Sequence, residues 1–253
     1  MTDNFKYWRL CAWAGPTFLL AFMIGWGALG GNIPPTSAAL SADEIAAHFR
    51  DNYMSIRLGM AICMSLAVLY LVWGVAIFKV LQKMEGDNQV MSHLQLWGAG
   101  LTVVPVLVSC SFWMTAAFRP DTDPNILRML LDMAWLLIDM AYAVTSMQMI
   151  AMAVVFLSDK RERPLVPKFV AWYGIWVAVM FVAECFIPYF KDGPFSRSGL
   201  LNFWIEFAIW FVWIPMQSYY TFVAINRLEQ EETKQAATPV AAPRSVRGLA
   251  PST

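Results

Sequence analysis

Charge is scarce in this chain. Of its 253 residues only 14% are Asp, Glu, Lys or Arg, against 58% that are hydrophobic. Soluble domains average about 25% charged, so a water-soluble globular domain is a poor fit. Acidic and basic residues balance to a formal net charge of +0, which gives no bulk attraction to nucleic acid. Histidine is scarcer still, with only His48 and His93. That excludes the histidine clusters of membrane di-iron enzymes and a facing histidine pair for intramembrane haem. Zinc would have to rely on carboxylates and at most one histidine, a poor match to its chemistry. A cation held by carboxylate oxygens stays open, but no metal ligand set and no cofactor are assigned. The four cysteines, Cys11, Cys63, Cys110 and Cys185, form no CxxC pair and read as small apolar residues. A phosphate loop, a dinucleotide fingerprint and an HExxH motif are all missing.

Long apolar runs are what the chain has instead. A spanning helix needs about 20 mostly apolar residues. Residues 10–29, 58–78 and 94–118 are long enough and carry no charge. Three further runs, 126–157, 169–190 and 200–225, are apolar except for a few charged residues, mostly acids. Barrel strands would alternate over short segments, and these runs do not. The fold class is therefore an all-α integral membrane protein, a six-transmembrane-helix bundle over residues 1–228. Lys6 and Arg9 before the first run have the look of a secretory leader. The run's length, with Pro16, Trp13 and Trp26 inside it, favours a retained helix. Residues 229–253, rich in Ala, Pro, Thr and Ser, read as a disordered cytoplasmic tail.

Flanking charge sets the orientation. With the N-terminus inside, twelve Lys and Arg fall on inner segments and six on outer ones. This follows the positive-inside rule and puts both termini in the cytoplasm. The first outer loop opens with Gly30-Gly31-Asn32 and Pro34-Pro35, then shows a capping box, Ser41-x-x-Glu44. Ile45, Phe49, Tyr53 and Ile56 follow at helical spacing. They predict an outer amphipathic helix between helices 1 and 2, over about residues 43–56, lying on the membrane or the bundle. Trp13, Trp97 and Trp172, each followed closely by glycine, read as an interfacial aromatic belt with small residues for close packing.

Four acids lie inside the apolar runs: Asp132, Asp139, Glu184 and Glu206. A charge at bilayer depth costs roughly 2.5–3.5 kcal/mol or more, so such residues face partners or wet cavities. At 1.5 Å per residue, Asp139 falls near the midplane, and Glu184 and Glu206 about 10 Å further out. Asp132 lies four residues after Arg128, the spacing of a structural ion pair. Asp139 has no base within two turns of its own helix. At 100° per residue, Asp139 shares a stripe with Arg128, Asp132, Ala143 and Ser146. Glu206 shares one with Asn202, Trp213, Gln217 and Tyr220, and Gln95, Thr102, Ser109 and Ala116 form another. The candidate binding set for a substrate or protons is therefore Asp139, Glu184, Glu206, Asn202, Gln217 and Tyr220.

Three functions fit these residues. The first is a small-molecule transporter or permease-like binder with a protonatable acidic interior. Six helices are few for a lone carrier, so a homodimer or a larger membrane complex fits too. The second is a cofactor-independent isomerase or hydratase acting on a lipophilic substrate, with two carboxyls dividing acid and base roles. The third is an accessory or assembly subunit. A cavity open to water favours the first, a lateral opening to lipid the second, and no cavity the third. The lipid bilayer is the expected partner throughout, with a small organic or lipophilic ligand in the first two readings.

Overall fold

The computed structural model describes residues 4–237. Six helices are long and apolar enough to cross a membrane. They are α1 (Phe5–Leu29), α2 (Ala42–Glu85), α3 (Val90–Phe118), α4 (Pro124–Ser158), α5 (Lys168–Tyr189) and α6 (Leu200–Ala236). Each packs on its neighbour in the chain, and α6 closes the ring against α1. The first and last described residues lie at one end of the bundle, called here the terminal end. There Arg9 on α1 pairs with Glu229 and donates to Asn226 Oδ1 on α6 at 2.9 Å. The outward surface is apolar along its length, with Leu10, Leu20, Val68, Val104, Val154 and Val179 all exposed. An apolar surface this extensive would aggregate in water, so the fold is compatible with a multi-pass membrane protein.

Local chemistry sets the helix ends. Ser41 caps α2 in the expected box: its hydroxyl accepts from the Glu44 N–H, and Glu44 accepts from the Ser41 N–H. Asp123 caps α4, with Pro124 at the first helical position. The predicted amphipathic helix is not a separate surface element. Residues 42–66 and 68–85 run on as one long α2, because neither glycine nor proline interrupts residues 43–58. Its face of Ile45, Phe49 and Ile56 is fully buried, whereas Tyr53 is exposed. That face packs on the end of α1 and the first half of α4. Helix α6 continues past residue 229 through Ala236, and there Arg9 pairs with Glu229 and Lys83 with Glu232. The rest of the expected tail lies outside the described residues.

Close packing rests on small residues, since lipid tails supply no hydrophobic drive between helices. A Cβ on Gly59 of α2 would collide with the Gly25 carbonyl of α1, and one on Gly25 would sit 2.8 Å from the Gly59 carbonyl. The two backbones therefore touch directly. Trp13, Trp97 and Trp172 are each more than 60% exposed near the terminal end, as an interfacial belt requires. Nearby Gly15 and Gly98 turn inward against neighbouring helices.

Candidate functional site

Regular helix fails at the three deep acids. Helix α4 is interrupted at Ala141, two residues after Asp139, where the Ala141 N–H bonds back to the Asp139 carbonyl. Glu184 lies in the tightened 3-10 stretch Phe181–Tyr189 of α5, which contains Pro188. Glu206 directly follows a widened π stretch, Leu200–Ile205, at the start of α6. Proline accounts for part of the α5 irregularity, because it cannot donate to the ladder. Nothing in the local sequence explains the break at Ala141. Irregular backbone at membrane depth is tolerated where protein buries it or where it lines a cavity. Short π segments in helices occur frequently at functional sites.

The three carboxyls line one cavity of about 60 Å³. Thr102 and Thr145 share a hydroxyl hydrogen bond of 2.9 Å in its wall. Phe22, Phe207 and Trp210 supply apolar surface, and no Lys, Arg or His lines it. Asp139, Glu184 and Glu206 are 4%, 7% and 2% exposed. The Glu184 and Glu206 side chains are neighbours in this cavity. Two carboxylates can only accept, so a hydrogen bond between them requires one to carry a proton. The second oxygen of each, Oε2, is buried with no donor from the protein. The three carboxyls do not converge as a metal-ligating group. A cavity this size holds a few water molecules.

Three other predicted site residues are elsewhere. Asn202 is buried and donates to the Phe195 carbonyl at 2.7 Å, tying down the loop before α6. Gln217 contacts Thr221 on its own helix, and Tyr220 packs edge-on against Phe169 at 5.6 Å between ring centres. The last two lie about 16 and 21 Å along the axis from Glu206, at 1.5 Å per residue. They share its stripe but not its depth. Thr145, Tyr142, Phe207 and Trp210 line the cavity unannounced. Regular helix geometry hides Thr145, because it puts Ala143 and Ser146 beneath Asp139, and the break at Ala141 changes that register. Its signal was only that it is polar within an apolar run. The predicted stripe on α3 is intact: Gln95, Thr102, Ser109 and Ala116 are all buried.

The expected Arg128–Asp132 pair does not form. Asp132 instead binds Arg197, from the loop between α5 and α6, at 2.6 Å. Arg128 is exposed and makes a 3.4 Å contact with Asn125. Arg197 is 3% exposed and also donates to the Thr36 carbonyl at 3.0 Å. Its guanidinium stands over the Trp135 ring, 5.9 Å from the centre. Burial pulls its pKa down, and Asp132 and, more weakly, Asp139 pull it back up. Asp132 chose the desolvated cation that had most need of it. Aromatic rings separate this pair from the deep acids. Trp26 stacks on Phe207, which lines the acid cavity, at 5.2 Å, and meets Trp135 edge-on at 5.4 Å.

Comparison with protein-family models, curated proteins and solved structures finds no match for this chain. Its class is therefore defined by build alone: six apolar helices, all but α2 lining a cavity with three acids.

Proposed function

We propose that this chain is a small membrane permease whose acid cavity takes up and releases protons as a solute moves. The observation that carries this reading is the carboxyl trio. Asp139, Glu184 and Glu206 come from three helices, share one cavity and have no basic side chain in its lining. Buried acids without a compensating charge cost stability, and membrane proteins retain such residues in proton relays and ion pathways. The Glu184–Glu206 contact supplies a shared proton that a change of cavity shape would release. The irregular turns beside all three acids are the places where such a change is least costly.

Cavity size discriminates between the readings. Pockets for organic ligands measure about 300–1,000 Å³, whereas this one measures about 60 Å³. Water and protons fit in this conformation, and neither an organic solute nor a lipophilic substrate does, so size favours proton handling over a resident ligand. On the accessory reading the acids would bind partner helices, and the burial of all three around one cavity speaks against it. On this proposal the inner face is the terminal end, from the twelve-to-six charge bias. Reporter fusions after Glu85 and Arg163 should both read inside, and one after Asp121 outside.

The direct test is proton flux. The purified protein is placed in vesicles holding a pH-sensitive dye, and a membrane potential is imposed. Wild type should acidify or alkalinise the lumen faster than protein-free vesicles. The triple variant Asp139→Asn, Glu184→Gln, Glu206→Gln should fall to the protein-free rate. Equal rates for wild type and the triple variant would overturn the proposal.

A further inference from the structure

A second cavity lies on the other side of the aromatic layer, at the end of the bundle away from the termini. It measures about 220 Å³ and is bordered by Arg128, Asp132, Trp135, Lys191 and Arg197. Three cations and one anion therefore line it. Asp132 is committed to Arg197. Lys191 has no carboxylate partner among the described residues, and Arg128 touches only the neutral Asn125. Two positive charges are left over at a concave site. The fork of Arg197 is fixed in place by Asp132 and by the Thr36 and Ser37 carbonyls. The cavity thus joins a buried, hydrogen-bonded guanidinium to two exposed cations.

We propose that this cavity binds an oxyanion, a carboxylate or a phosphate. Guanidinium and ammonium groups recognise those anions through charge-assisted hydrogen bonds. The volume is several times that of the acid cavity and accepts a small anionic group with its bound water. Two sources present this chemistry here. One is a soluble organic or inorganic anion reaching the mouth from water. The other is the phosphate of a lipid headgroup, because Leu136, Ile187, Pro188 and Phe190 give the same cavity an apolar flank. The proposal stands apart from proton exchange at the deep acids, and either can fail without the other.

The test is stabilisation of the purified protein in neutral detergent, read as its melting temperature at constant ionic strength. The probes are inorganic phosphate and a short-chain phosphatidylglycerol below its micellar concentration. A ligand that binds only the folded state raises the melting temperature in a saturable way. Wild type should respond to at least one probe. The variant Arg128→Gln, Lys191→Gln should melt like wild type without probe, because both side chains are exposed. It should need about tenfold more probe for the same response, the equivalent of 1.4 kcal/mol. If the double variant melts lower on its own, Lys191→Gln alone takes its place. A response to phosphate assigns a soluble anion, and a response to the lipid alone assigns a headgroup. No saturable response to either probe, or an unchanged response in the variant, would overturn the proposal.

Discussion

Asp132 and Asp139 sit seven residues apart on one helix, and the fold treats them in opposite ways. Asp132 has a half-exposed side chain and a cation at 2.6 Å. Asp139 is 4% exposed and lies among two other acids. The burden falls differently too. At Asp132 the buried partner is Arg197, which would be stranded without its carboxylate. Asp139 has no cation at contact distance, and its charge only adds to the field that favours a charged Arg197. Removing one partner of a pair that buries a cation strands that cation, whereas buried acids with no base in their cavity cost the fold stability. That contrast is why the deep trio, and not the longer list of membrane acids, carries the functional reading.

The contrast has consequences for stability. Asp132→Ala leaves the Arg197 guanidinium buried and unpaired, so thermal melts in detergent should show a loss of about 3 kcal/mol or more. Adding Arg197→Leu should return part of that loss. If the double variant is as unstable as the sum of the two singles, the pair is not coupled and the account of Asp132 is wrong. Asp139→Asn should go the other way, leaving stability unchanged or raising it by about 1 kcal/mol, as substitutions at strained functional sites commonly do. A marked loss there would make Asp139 structural and erase the distinction between the two acids.

Smaller effects mark the edges of each region. Thr145→Val removes the Thr102–Thr145 hydrogen bond in the cavity wall. The expected cost is about 0.6 kcal/mol, the average for polar contacts between membrane helices. A much larger loss would mean that this wall, and not the acids, organises the cavity. Arg128→Gln alone should change stability by no more than about 0.5 kcal/mol, as for an exposed surface position. A larger fall would restore the pairing with Asp132 that its spacing promised.

The sequence carried the large features and lost the detail where helices stop being regular. Continuous apolar runs made the six helices legible, because spanning length and composition are local properties. Ser41 and Asp123 announced their caps for the same reason. Depth counted at 1.5 Å per residue placed Glu184 and Glu206 in one layer with Asp139 nearby, and all three line one cavity. Faces counted at 100° per residue held on α3, which is regular helix throughout. They failed on α4, where the break at Ala141 brings Thr145 to the cavity and leaves Ala143 exposed. Spacing also failed for Asp132. A local base four residues away lost to Arg197, 65 residues distant, because pairing follows desolvation and loop position. The separate amphipathic helix failed differently. Three of the four face residues are buried and Tyr53 is not, and periodicity cannot tell a surface helix from the first turns of a longer one.

Protonation of the trio itself is the most direct test. Infrared difference spectra between acid and alkaline states report the carbonyl stretch of protonated carboxyl groups. Wild-type protein should show bands that appear and vanish with pH and that shift or disappear one by one in Asp139→Asn, Glu184→Gln and Glu206→Gln. Bands indifferent to all three substitutions, or no pH-dependent carboxyl signal from the buried site, would contradict proton exchange in the cavity.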